Sequence, residues 1–237
     1  MSEIILNFIC NICRRDWMET IPEPTGWDGR EQVYSRTCKD CEKTLLENRV
    51  KSYITKDIGA RFTDAKITDF GPDFAIQIAE LVDVSVAKRQ GFHITGVENA
   101  GKTHLVAALI LYLAIKHLKP EQVFSLYLRG RDIYRLVDYR GQPCDTDTYE
   151  KYVSSPVLFI DDMVTADQRA GDQILGLVDD RYRRRKYTIS VSNFPVKQIY
   201  EGGTPIGETV GRLLISRIVR DAGDEGTNEI VLEPIKR

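Results

Sequence analysis

Hydrophobic and polar positions divide the chain into segments of different period. Phe92-His93-Ile94-Thr95 is a short apolar run that predicts a buried strand, and Val157-Leu158-Phe159-Ile160 predicts another, buried on both faces. Val123 to Leu128 and Tyr187 to Asn193 alternate and β-branch like strands, and Glu229 to Leu232 predicts a short last one. Helical spacing appears between them. Pro72 to Lys88 places Phe74, Ile76, Ile78, Ala79, Leu81 and Val82 at helix positions, and the Ala-rich stretch from His104 to Leu118 predicts a helix packed on a sheet. Helices are also expected from Arg129 to about Tyr139, from Asp172 to Tyr182 and from Val210 to Val219. Strands alternating with helices predict an α/β fold with a parallel sheet. Glu42 to Tyr53 is polar and helix-friendly and predicts a link between modules, while Asp57 to Phe70 predicts a compact, turn-rich entry to the larger domain.

Composition narrows the class without naming a chemistry. The chain has 237 residues, 42% hydrophobic and 29% charged, which suits one sizeable domain with a small appendage. A net charge of −2 excludes a uniformly basic nucleic-acid binder but leaves local basic patches open. No apolar run approaches transmembrane length, and the first residues lack the basic start of a signal peptide. Four of the five cysteines fall in two close pairs, which suggests metal ligation in a reducing compartment and a cytoplasmic location.

Two features carry chemistry. Gly96, Val97, Glu98, Asn99, Ala100, Gly101, Lys102 and Thr103 match G-x-x-x-x-G-K-[ST] at every fixed position, with a strand before and a helix, opening at His104, after. The glycines let backbone N–H groups point inward at phosphates, and the helix N-terminus adds partial positive charge. Lys102 would reach the β- and γ-phosphates of ATP, and the Thr103 hydroxyl would ligate Mg²⁺. The Val157–Ile160 strand then ends on Asp161 and Asp162. Ligands bind at the carboxyl ends of parallel strands, so Asp161 is expected to hold Mg²⁺ through water and Asp162 to polarise the attacking water. A strand beside it would bring the Asn193 amide near the γ-phosphate, where it could orient that water. The bland readings are a glycine turn before an ordinary helix and a pair of acids capping one.

Cys10-x-x-Cys13 and Cys38-x-x-Cys41 lie 24 residues apart and predict a four-sulfur Zn²⁺ site, closed and therefore structural. Buried or redox-linked cysteines are the alternative. The spacer between the pairs predicts a loop or short hairpin, and Cys144 stands apart. Trp17, Trp27 and Tyr34 with Arg14, Arg15, Arg30 and Arg36 form a candidate contact surface or a small core. The arginines at 129, 131, 135 and 140 alternate with Tyr127, Tyr134 and Tyr139, which suits single-stranded nucleic acid or a solvated helix face. Arg181, Arg183, Arg184, Arg185 and Lys186 cap a helix or meet nucleic acid or another subunit.

Taken in order, the Gly96–Thr103 loop, VLFIDD, TISVSNFP and the Gly-Arg-Leu-Leu-Ile-Ser-Arg-Ile helix resemble the AAA+ ATPases of the DnaC/DnaI helicase-loader and IstB group over about residues 53–220. The resemblance implies a parallel-sheet P-loop NTPase domain at 53–237 and a zinc-binding partner module with its linker at 1–52. It makes Asn193 the sensor residue and sets Phe62, in the DIGARFTDA lead-in, on the adenine side with the cofactor-binding set, in which His104 is included. Arg217, with Arg212 as second choice, matches the arginine offered in trans to a neighbour's nucleotide, although five positions separate the two here where the family pattern usually has four. The four-cysteine module is similar to the helicase-binding module of DnaI-type loaders. The implied function is ATP-dependent loading of a replicative DNA helicase, with single-stranded DNA as a partner, self-association through the ATP sites, weak hydrolysis by a lone subunit, and no membrane. Two alternatives stand beside it: an IstB-like transposition helper on duplex DNA, and a zinc-dependent adaptor in which ATP is structural.

Overall fold

The structure, a computed structural model, describes residues 3–22, 33–117, 126–138, 140–164, 168–219 and 229–233. The chain divides into two compact units, Met1–Arg49 and Val50–Arg237.

In the first unit, β1 (Glu3–Cys10) pairs antiparallel with β2 (Asp16–Pro22), with Ile9 opposite Asp16, and parallel with β3 (Val33–Arg36), with Cys10 opposite Arg36. A hairpin is built around the first cysteine pair, because residues 11–13 are the turn that joins β1 to β2; the spacer, expected to be a loop or short hairpin, holds β2 and β3, and its residues 23–32 lie outside the described ones. Arg14, at φ 62°, and the hydrogen bond from its N–H to the Cys10 carbonyl close that turn. Trp27 and Arg30 lie outside the described residues, as do the side chains of Trp17 and Tyr34. The polar stretch after the second pair is helical, part of α1 (Lys39–Asp57), in which only Val50 and Ile54 are buried, and the division between the two units falls within it. So few apolar positions leave no period to read.

In the second unit, β4 (His93–Gly96), β5 (Tyr127–Arg129), β6 (Val157–Asp161), β7 (Tyr187–Ser192) and β8 (Glu229–Leu232) form a parallel sheet in the order β5-β6-β7-β4-β8. Every residue of β4, β6 and β7 is buried, which is why β6 is an unbroken apolar run up to Asp161, while β4 and β7 mix Ile and Val with small or hydrogen-bonded polar residues such as His93, Ser190 and Ser192. The helices are α2 (Pro72–Lys88), α3 (Lys102–Lys116), α4 (Thr146–Ser154), α5 (Gln168–Arg183), α6 (Val196–Tyr200) and α7 (Glu208–Ile218). The lead-in between α1 and α2 is two 3-10 turns, Ala60–Phe62 and Ile67–Phe70.

Three expectations change. Strand β5 begins at Tyr127, and residues 123–125 lie outside the described ones; the helix expected after it is a 3-10 turn, Gly130–Arg135, that ends where Val137 bridges back to Pro143. Tyr127 is not a base-stacking platform: it is 4% exposed, and Arg129 is spent on the Ile58 carbonyl. Arg181 is not a surface cation but fully buried. Its guanidinium donates to the Thr188 hydroxyl at 3.0 Å and to the carbonyls of Tyr187, Ser155, Val153 and Tyr152, tying α5 to β7 and to the end of α4.

Candidate functional site

The phosphate-loop motif occupies the turn between β4 and α3, at the carboxyl end of the sheet. Its two glycines act for different reasons. Gly101 takes a left-handed φ of 89°, and Asn99 one of 63°, which together turn the loop back onto the helix. A side chain at Gly96 would instead meet the Leu232 carbonyl of β8 at 2.7 Å. Lys102 opens α3, is 8% exposed, and donates from Nζ to the Gly96 and Val97 carbonyls, both at 2.8 Å. Burial lowers its pKa, and the carboxylates of Asp161, Asp162 and Glu98 oppose that shift.

One residue on, the Thr103 hydroxyl donates to Asp161 Oδ2 at 2.9 Å. Asp161 ends β6 at 4% exposure. Tyr127 in β5 donates its phenol to the same oxygen at 3.0 Å, and the Asp162 N–H donates to Oδ1 at 3.0 Å. Burial pushes the Asp161 carboxyl up, the Asp162 charge adds to this, and the Thr103 and Tyr127 hydrogen bonds counter it. Asp162 steps out of the strand at φ 51° and is exposed. Asn193 follows β7, which lies between β6 and β4, so the amide stands between the acids and the loop.

A cleft of about 350 Å³ joins these groups: Gly101, Lys102 and Thr103 on one side, Asp161, Asp162 and Asn193 on the other. Glu98, Asn99 and His104 also border it, and Phe62 and Arg61 reach it from the lead-in. The Phe62 and Phe70 rings meet His104 edge-on at 6.2 and 5.6 Å, and His104 Nε2 lies 2.7 Å from Asp69 Oδ2. Gly96 and Val97 contribute carbonyls to Lys102, and the Ala100 side chain is buried. Arg212 and Arg217 do not line this cleft. Arg217 donates from Nε to Asp179 at 2.7 Å with its guanidinium 4.8 Å over Tyr182, and Arg212 pairs with Glu208 at 2.5 Å. Sequence reasoning missed Tyr127, Arg61 and Asp69 here. Only Tyr127 left a signal, a tyrosine in the strand beside the acidic one.

Behind Asn193 lies His93, which is fully buried in β4. Its Nε2 is 2.9 Å from the Phe194 carbonyl and its Nδ1 is 2.7 Å from the Ser190 hydroxyl. A ring nitrogen facing a carbonyl must carry its proton, so Nδ1 accepts from Ser190.

The second centre is the cysteine cluster. The Sγ atoms of Cys10, Cys13, Cys38 and Cys41 all lie within 4.8 Å of one another, and Cys144 is not one of the group. The 3.8 Å between Cys13 and Cys38 suits an edge of a tetrahedron with a metal–sulfur bond of about 2.3 Å. Backbone N–H groups of Ile12, Cys13 and Cys38 point at Cys10 Sγ from 3.4, 3.4 and 3.5 Å. Burial works against the Cys10 thiolate, yet those hydrogen bonds bring its pKa down to about 5. Arg15 donates to Cys13 Sγ at 3.4 Å and pairs with Asp40 at 3.2 Å. These contacts stabilise the thiolates of Cys10 and Cys13, whereas burial pushes the Cys41 thiol up; the close approach of all four sulfurs suits a Zn²⁺ ion.

Among the described residues no helix is long and apolar enough to cross a membrane. No family model matches the chain, and no curated protein matches it. Solved structures do. The chain is similar to a crystal structure of DnaI (TM-score 0.52, 20% identity), with 73% of this chain and 89% of that one covered. It is similar to the DnaC helicase loader (TM-score 0.55, 21% identity, 73% and 98% covered). It is also similar to AMPPCP-bound DnaA from Aquifex aeolicus (TM-score 0.50, 17% identity), with 72% of this chain and 50% of that one covered. At these identities the likeness is one of fold: an α/β, parallel-sheet fold with the phosphate-loop motif between its first strand and the helix that follows, in a chain that also carries an N-terminal four-cysteine cluster.

Proposed function

We propose that the chain is an ATP-dependent loader of a replicative DNA helicase, with Val50–Arg237 as its ATPase and the four-cysteine unit as a Zn²⁺-stabilised grip on the helicase. The observation that carries the ATPase is the convergence of Lys102, Thr103, Asp161 and Asn193 on one cleft. Lys102 would leave the Gly96 and Val97 carbonyls for the phosphate oxygens, which offer its charge a better partner. Thr103 and Asp161 would hold Mg²⁺, which supplies charge neutralisation at the β- and γ-phosphates. Asp162, outside the strand and solvated, would polarise the attacking water, and Asn193 would orient it. Phe62 would meet the adenine side, with His104 and Asp69 shaping that wall. Arg217, or Arg212, would serve a neighbouring subunit's nucleotide. Because an arginine supplied in trans contributes about 10³–10⁵-fold to turnover in enzymes that use one, a lone subunit would hydrolyse slowly.

The fold likeness to the DnaC helicase loader, spanning 98% of that chain, supports the loader reading over the transposition helper and the adaptor. The test is a pull-down of the replicative helicase and of single-stranded DNA, with and without ATP. The wild-type chain should capture both, and Lys102→Ala should lose the ATP dependence. Capture of a transposase with duplex DNA would establish the IstB-like reading. Oligomerisation and DNA binding untouched by Lys102→Ala would establish the adaptor.

A further inference from the structure

We propose that Tyr127 is a positioning residue for Asp161, and that Arg129, anchored on the lead-in, fixes the direction in which Tyr127 donates. The proposal rests on the nucleotide reading above. Strand β5 pairs with β6 so that Tyr127 lies opposite Phe159 and Arg129 opposite Asp161. Residues 127, 129, 159 and 161 therefore share one face of the sheet, and Tyr127 is the diagonal neighbour of Asp161. Its hydroxyl sits 3.0 Å from Asp161 Oδ2 and 3.4 Å from Arg129 Nε. A guanidinium can only donate, so it occupies a lone pair of the phenol and leaves the single O–H for the carboxylate. Arg129 is itself held by a 3.1 Å hydrogen bond to the Ile58 carbonyl. The β5 backbone is clamped too: the N–H groups of Leu126 and Tyr127 donate to the Tyr53 hydroxyl at 3.0 and 2.9 Å.

The carboxylate needs this support. Asp161 Oδ2 has two side-chain donors, Thr103 and Tyr127. Once the Thr103 oxygen turns to a metal ion, Tyr127 is the side-chain donor that remains. It would hold Oδ2 in place, while the Asp162 N–H holds Oδ1. Outer-shell partners of this type set the orientation of a metal-holding group, and their loss costs about 10–100-fold in metal affinity. The chain Ile58–Arg129–Tyr127–Asp161 also runs from the lead-in, on the expected adenine side, to the magnesium side of the cleft. The base and the metal would thus be registered through the protein as well as through the nucleotide.

The experiment uses the full chain carrying Tyr127→Phe, with Arg129→Met as a second variant and Tyr152→Phe as control. Tyr152 borders the same 470 Å³ cavity as Tyr127 and has no bond to Asp161. A fluorescent ATP analogue is titrated first without metal and then against Mg²⁺, and the Mn²⁺ EPR spectrum of the nucleotide complex is recorded. Tyr127→Phe should keep metal-free nucleotide binding within about twofold, raise the Mg²⁺ midpoint roughly tenfold and change the Mn²⁺ spectrum. Excess Mg²⁺ should restore the complex. Arg129→Met should shift the midpoint in the same direction by a smaller factor, and it carries the test alone should Tyr127→Phe fail to fold. Tyr152→Phe should change nothing. A midpoint unmoved in both variants overturns the proposal, as does an equal loss of metal-free and metal-dependent binding, which is what a merely structural role would give. A wild-type chain with no metal-dependent nucleotide binding overturns the nucleotide reading itself, and the proposal with it.

Discussion

The Thr103 hydroxyl donates to the Asp161 carboxylate over 2.9 Å, a bond between positions 58 apart in the chain. It joins the first turn of α3 to the end of β6 across β7, so the loop and the acids face one volume before anything binds there. Asp162 lies just beyond, exposed, with φ 51°. Asparagine tolerates the left-handed region nearly as well as aspartate, so Asp162→Asn removes a charge and leaves the turn intact. Nucleotide affinity should stay within about twofold while turnover falls roughly 10²–10⁴-fold, the range for loss of a general base. Phosphate release against analogue binding checks this, and unchanged hydrolysis would put the catalytic acid elsewhere.

The Met1–Arg49 unit holds too few residues to sustain a full core, which makes a metal its natural staple. Elemental analysis should find about one zinc per chain. A chelator, or Cys10→Ser, should collapse the β1–β3 sheet, because Cys10 ends β1 and its sulfur gathers three backbone N–H groups. Nucleotide binding by the larger unit should survive. Metal-free protein with an unaltered sheet would refute the zinc assignment.

Arg181 is fully buried, and its guanidinium serves four carbonyls and a hydroxyl. Arg181→Met should destabilise the larger unit by about 3–5 kcal/mol, because the acceptors would be left dry. Lysine should not rescue it, since an ammonium cannot reproduce the planar fork. Neighbouring Arg183, which is exposed, should tolerate methionine within about 0.5 kcal/mol. Urea denaturation of the three variants ranks them, and equal stability would contradict the buried network.

Arg181 also shows where the sequence was legible and where it was not. The phosphate loop and β6 were readable because their signals are local: a fixed spacing of Gly, Lys and Thr, and an unbroken apolar run ending in two acids. That β7 lies beside β6, which the Asn193 reading supposes, is seen in the strand order but has no local signal in the sequence. Arg181 looked like part of a basic surface run because its charge outweighed its position. Yet Ala170, Ile174, Leu177, Val178 and Arg181 share one helical face, and the first four are core residues. Period was the better guide there. Tyr127 was misread for the opposite reason: aromatics interleaved with arginines suggest stacking, but in a buried parallel strand both faces point inward. The lead-in pair of His104 and Asp69 depends on a contact between positions 35 apart and left no pattern to find.

His93 gives the sharpest prediction about pH. Burial lowers its pKa to about 4 from an ordinary 6.5, and the hydrogen bond to the Phe194 carbonyl only partly opposes this. The folded chain therefore keeps the imidazole neutral in a range where the unfolded chain binds a proton. Stability is full above about pH 6.5 and falls as the pH drops toward 4. Between pH 7 and pH 5 the loss from this one group is about 2 kcal/mol. His93→Asn keeps an amide donor and acceptor but cannot titrate, so its stability should be flatter than wild type by that amount over the same interval. Both tryptophans, Trp17 and Trp27, fall in the smaller unit, so their fluorescence would follow the wrong transition. Far-UV circular dichroism in urea at the two pH values follows the larger one. Parallel slopes for the two proteins would mean that the folded state protonates His93 freely, and the neutral link between β4 and the Asn193 loop would then have to be abandoned.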